Sequence, residues 1–187
     1  MPRETVEVAR TPLRVRERSN RTVEQRLGVH LPWLVHIAGR QLDRVPPGSR
    51  IRQAILGRAS GLGIEAFNRR DYDVILLTHH TECEYVPPHE MVEAGLVQSR
   101  YRGPAGYREL MSDWSHVGEL HVEDVELIDL GDRWVLLATL SLRWNRREDL
   151  PFSRTWATVI KRERGLTVHE RYYWSHDEAL KAVGVEA

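Results

Sequence analysis

Glu170, Tyr172 and Trp174 stand two residues apart in Leu166–Trp174, a run of Val, Tyr and Trp that reads as a β-strand. Side chains alternate between the faces of a strand, so these three share one face, and Thr167, His169, Arg171 and Tyr173 share the other. A carboxylate between two aromatic rings is partly desolvated, which raises its pKa and suits it to act as a general base. On the neighbouring run the matching phase is Phe152, Arg154, Trp156 and Thr158, so Arg154 is placed to pair with Glu170 or to orient an oxyanion. A buried Glu–Arg pair that merely satisfies both charges also fits these residues. Tyr85, in phase with Cys83 on an earlier run, and Tyr172 supply hydrogen-bond donors. Trp114, Trp156 and Trp174 are candidate ligand contacts, although Trp residues, with Trp134 and Trp144, more often build core. Asp113 and His116, three apart, share a helical face, which makes His116 a second acid–base candidate. The plain alternative is a solvated last turn with a His at the helix C-terminus. Cys83 reads as a small buried hydrophobe.

These side chains need strands and a helix to hold them. Arg133–Trp144, Phe152–Arg162 and Leu166–Trp174 read as consecutive antiparallel strands joined by Asn145–Pro151 and the tight turn Glu163-Arg164-Gly165. His121–Leu130 precedes them through Gly131-Asp132, and Thr81–Val86 is an earlier strand that Pro87-Pro88 ends. Ser49 caps a long helix carrying Ile51, Ile55, Ala59, Leu62 and Ala66 at helical spacing as far as Asn68. Asp71 caps a shorter one over Tyr72–Leu77, after which the chain turns at His79-His80. His89–Arg102 reads as a long connection. Gly103-Pro104 opens a helix over Ala105–His116, and Asp177–Val183 is the last. Helices early and strands late make an α+β pattern.

The bulk properties narrow the partners. The 187 residues suit one core with an added arm, and 27 basic residues balance 27 acidic ones, so no net field favours nucleic acid or an anionic membrane. A single cysteine, Cys83, excludes an internal disulfide framework and a Cys-based zinc site. No apolar run approaches the roughly 20 residues that span a bilayer. The expectation is a cytoplasmic protein without cofactor or metal, binding neither nucleic acid nor membrane. Residues 1–28 are polar and Arg-rich and read as an extension, disordered or draped on the body. Val29–Leu42 adds one short apolar helix, and Val45-Pro46-Pro47-Gly48 breaks the chain. The expected division is an extension over 1–45 and a domain over 46–187.

Tyr101–Leu110, with its Gly-Pro-Ala-Gly helix start, the strand–turn–strand Glu126–Val135, Phe152–Trp156, Gly165, Glu170–Trp174 and the tail Asp177–Gly184 stand in a telling order. With the helix exit Ala66–Tyr72, that order resembles the SnoaL-like branch of the NTF2-like superfamily over residues 50–184 and not over 1–45. The resemblance implies a cone-shaped, cystatin-like α+β barrel, with a curved antiparallel sheet wrapped on a long N-terminal helix. It also implies a homodimer built sheet against sheet, and a pocket at the wide end facing Glu170, Tyr172 and Trp174.

What the resemblance implies about chemistry depends on the site. Ketosteroid isomerases of this superfamily use two carboxyl groups; here the matching positions hold Tyr85 and either Arg154 or Trp156. Epoxide hydrolases of the limonene type need a carboxylate where this chain has Tyr172, and Asp149 lies in a loop. In the dehydratase pattern, His79 and His80 fall at a loop–strand junction and His169 on the wrong face, leaving His116; Asp113 with His116 approximates the polyketide cyclases. The reading is therefore a pocket protein for a small, mostly apolar molecule, with possible acid–base activity from Glu170, Arg154 and His116. The alternative is a non-catalytic dimeric module.

Overall fold

A computed structural model describes residues 10–116, 119–143 and 152–185. Trp144, Asp149 and the rest of the 145–151 connector, and the first nine residues of the extension, lie outside the described residues. The elements run β1 (Arg10–Pro12), α1 (Val23–His30), α2 (Pro32–Leu42), α3 (Arg50–Asn68), α4 (Tyr72–Leu76), β2 (His79–Val86) and α5 (His89–Glu93). They continue with β3 (Tyr101–Arg102), α6 (Gly103–Ser115), β4 (Glu119–Asp129), β5 (Arg133–Arg143), β6 (Phe152–Glu163), β7 (Leu166–Tyr173) and α7 (His176–Ala182).

Strands β4 to β7 form the antiparallel meander that the alternation predicts. Its tight turns use Gly131 at φ 95° and Gly165 at φ 85°, a region open to glycine because it lacks a Cβ. The whole sheet has the order β1-β4-β5-β6-β7-β2-β3. It is not wholly antiparallel as expected: β2 runs parallel to β7. The chain between them is long enough, with α5, α6 and the four strands β3 to β6, to make the crossover that a parallel pair requires.

The inward face carries Tyr85 on β2, Val122 on β4, Leu140 on β5, Trp156 on β6 and Tyr172 on β7, packed on Ile64 of α3 and Tyr107, Leu110 and Trp114 of α6. On the outward face Val135, Leu137 and Ala157 bury Ala179 and Leu180 of α7. The period-two pattern thus places β5 and β6 between two apolar layers.

The extension is structured where it is described. β1 adds an edge strand, with Thr11 opposite Leu127 of β4. Where one helix was expected over 29–42 there are two, because Pro32 has no N–H to continue α1 and suits the first position of α2. Thr22 and Gln25 close a reciprocal capping box on α1. α2 sits hard against the β6–β7 turn: a Cβ on Gly39 would lie 2.4 Å from the Gly165 carbonyl oxygen. Asp43 then accepts a 2.8 Å bond from Arg162 and a 2.5 Å bond from the Gly165 N–H. Arg52, 1% exposed, donates to both Asp129 oxygens and to the carbonyls of Leu42, Val45 and Gly131. One guanidinium therefore joins α2, the Pro46-Pro47 breaker, α3 and the β4–β5 turn.

Candidate functional site

Glu170 and Tyr172 occupy the inward phase of β7, and both are buried. Trp156, diagonal to Tyr172 on β6, packs 5.3 Å from it by ring centroids, and Trp114 of α6 sits edge-on to both rings at 5.0 and 5.1 Å. Tyr85 lies beside Glu170 in the register of β2 with β7. The alternation read from the sequence holds here. It slips once, because Arg162 and Lys161 of β6 face Thr167 and His169, leaving Val168 as an extra residue. Thr167, expected on the outward face, is thereby buried in phase with Glu170.

The partner of Glu170 is not the expected one. Arg154 is level with Leu140 on β5, whereas Glu170 is level with Ile160, six residues along β6. At about 3.3 Å per residue that is roughly 20 Å of strand. Arg154 is exposed and lies over the Trp174 ring at 4.4 Å. The group that meets Glu170 is His79, with Nε2 2.9 Å from Oε1. Strand β2 begins two residues earlier than predicted, at His79 rather than Thr81. Its register with β7 then shifts, five residue steps from His79 to Glu84 facing two from Thr167 to His169. His80, Thr81 and Glu82 are exposed in this bulge, and the His79 side chain is brought inward.

The hydrogen bonds define the protons. His79 Nδ1 is 2.8 Å from the Ile75 carbonyl oxygen, which can only accept, so Nδ1 carries a hydrogen. Nε2 then faces a carboxyl oxygen at 2.9 Å, a contact that needs a proton between them. The Tyr172 hydroxyl donates to the second oxygen, Oε2, at 2.5 Å. Burial pushes the Glu170 carboxyl up, but the His79 charge and the bonds from His79 and Tyr172 outweigh it, so the group lies below its ordinary range. The raised pKa expected from its aromatic neighbours is corrected by that partner. Burial, and then the Glu170 charge, push the Tyr85 and Tyr172 hydroxyls well up, so both stay protonated donors.

Two donors in this cluster are unsatisfied. Trp114 Nε1–H is buried without an acceptor, and the Tyr85 hydroxyl makes no proper hydrogen bond, with the Cys83 thiol as a weak polar neighbour. Buried donors are normally paired, so these two are left for a ligand acceptor that enters once a ring of the cluster moves.

The remaining candidates lie elsewhere. His116 is exposed at the C-cap of α6. Asp113, its expected helper, accepts instead from the Tyr101 hydroxyl. That tyrosine is pushed up to about 12 by burial and by this bond. Trp174 is half-buried and edge-on to Trp156 at 5.1 Å. Asp71 does not cap α4 with its side chain; its carboxylate takes Arg21 and Arg69 instead. Among the described residues no three His, Cys, Asp or Glu side chains converge as a metal site would need, and no helix is long and apolar enough to cross a membrane.

No family model and no curated protein matches this chain. Solved structures share its fold. TerC, co-crystallised with polyporic acid, is 22% identical, with a TM-score of 0.56 covering 66% of this chain and 94% of TerC. An NTF2-like protein of unknown function from Burkholderia pseudomallei is 19% identical, with a TM-score of 0.55 covering 68% of this chain and 96% of its own. A candidate polyketide cyclase from Xanthomonas campestris pv. campestris is 18% identical, with a TM-score of 0.50 covering 68% and 97%. These likenesses concern the fold: the chain has the NTF2-like α+β architecture, as its motif order implies.

Proposed function

We propose that this chain, NTF2-like in fold and SnoaL-like in motif order, binds a small, mostly apolar molecule on the inward face of its sheet and moves a proton on it. The observation that carries the reading is the 2.9 Å contact between His79 Nε2 and Glu170 Oε1 among buried aromatic rings. A paired acid and base in a low-dielectric surround can take a proton from one ligand atom and return one to another, as isomerase-, cyclase- and dehydratase-type reactions require. In this scheme Glu170 accepts the proton from one ligand atom and returns it to another, while His79, held by Ile75, keeps its Nε2–H on the carboxylate. Tyr85 and Trp114 offer their unsatisfied donors to the oxygen that gains charge. TerC, co-crystallised with polyporic acid, supports a small-molecule role for the fold.

The test is hydrogen–deuterium exchange at activated carbons of aromatic ketones and polyphenols, followed by NMR in D2O. Wild type is expected to catalyse exchange, and Glu170→Gln to lose about 100-fold or more of it. Equal exchange by the two proteins would end the reading.

A second reading, a dimeric binding module without turnover, is favoured by closure of the cluster. Tyr85, Tyr107, Trp114, Trp156 and Tyr172 are all buried, so a ring must move before a substrate reaches Glu170. Ligand binding without exchange in wild type would select this reading. Sedimentation would test the accompanying homodimer, which the family resemblance supports.

A further inference from the structure

A hollow of about 530 Å³ opens on the other side of Tyr72 from the aromatic cluster. Arg21 from the segment before α1, Arg69 and Arg70 from the end of α3, and Arg108 from α6 line it together with Asp71 and Asp73. Arg21, Arg69 and Arg108 face two carboxylates there, so these five side chains carry one positive charge in excess. The carboxylates act as brackets. Asp71 takes Arg21 through two bonds of 2.7 Å and Arg69 through one of 3.2 Å, and Asp73 takes Arg108 at 2.9 Å. Held in this way, the guanidiniums are already ordered, so a ligand need not immobilise them. Among the described residues Arg108 donates only to Asp73 and to the Pro104 carbonyl, two of its five N–H groups.

Arg70 adds an independent sign. It follows the C-cap of α3 at φ 59°, with its N–H on the Phe67 carbonyl and the Asp71 N–H on the Ala66 carbonyl, both at 2.8 Å. This is the Schellman arrangement, in which the left-handed position is usually glycine. An L side chain is disfavoured there. The chain nevertheless has an arginine at that position, and the arginine lines the cleft.

We propose that the cleft is a binding site for the oxyanion of a small molecule, a carboxylate or a phosphate, with the Tyr72 ring as a face for the rest of the ligand. Planar forks that already hold carboxylates suit either anion. Tyr72 packs edge-on to Tyr107 at 5.9 Å, and Tyr107 lies 5.0 Å from Tyr85, so the cleft backs onto the aromatic cluster. The proposal does not depend on proton transfer at Glu170.

Calorimetric titration with inorganic phosphate and, separately, succinate tests it, at ionic strength held constant with sodium chloride. Binding of at least one anion at about 10 mM or below is expected, and the stronger of the two identifies the headgroup. Arg108→Gln and Arg70→Gly should each weaken it about tenfold or more, as loss of a charge-assisted contact does. Arg70→Gly should keep its melting temperature, so that weakened binding is not lost folding, and Glu170→Gln should bind like wild type. Absence of binding by both anions, or affinity unchanged in both arginine variants, overturns the site.

Discussion

His79 Nε2 lies 2.9 Å from Glu170 Oε1, across a pair of parallel strands whose residues are 91 apart in the chain. Among the described residues, Glu170 would otherwise be a buried carboxylate with only the Tyr172 hydroxyl as hydrogen-bond partner. The two halves of this contact differ in what they leave behind when removed.

His79→Leu strands a buried charge and should destabilise the fold by about 3–5 kcal/mol. Glu170→Gln leaves a neutral amide able to donate to Nε2, and should cost only about 1 kcal/mol. Urea denaturation of both variants checks the asymmetry; equal losses would mean that the pair contributes no charge interaction.

Glu170 also predicts how stability depends on pH. Its folded pKa lies below the ordinary 4.5, so the unfolded chain takes up the proton first as pH falls. The contribution is fully present above 4.5 and is lost as pH drops through the folded value. Asp71, lowered chiefly by its bond from Arg21, acts in the same sense from its ordinary 3.8 downwards. Thermal melts from pH 6 to pH 3 should show a fall that is shallower in Glu170→Gln than in wild type.

Arg52→Met should be among the most damaging changes in the chain, at about 3–5 kcal/mol. It leaves Asp129, buried beside it at 2.6 Å, without its direct ion-pair partner, and removes the donor to the Val45 and Gly131 carbonyls. Adding Asp129→Asn should recover part of the loss, because the orphaned charge is gone; a double-mutant cycle measures that coupling.

Two glycines should respond with opposite signs. Gly39→Ala forces a methyl to 2.4 Å from the Gly165 carbonyl and should cost roughly 1–3 kcal/mol, as overpacking does. Gly63, in the interior of α3, has nothing within 4 Å of a new Cβ, so Gly63→Ala should gain about 0.5–1 kcal/mol. Chemical denaturation of the two variants side by side checks both.

The meander from β4 to β7, the Ser49-capped α3 and the inward phase of Glu170, Tyr172 and Trp156 were legible in the sequence. They rest on local signals, since turn glycines, capping residues and a side-chain period act over a few residues. The identity of the partner of Glu170 was not legible. His79 has no periodic signal, because a bulge between His79 and Glu84 breaks the alternation that would have placed it, and its carboxylate is 91 residues away. The same holds for β1 on β4, for Asp43 on Gly165 and for Arg21 on Asp71. Away from bulges, local sequence determines which face a strand residue takes. Only the closed tertiary structure decides which charge it meets there, because that pairing depends on register summed over distant strands.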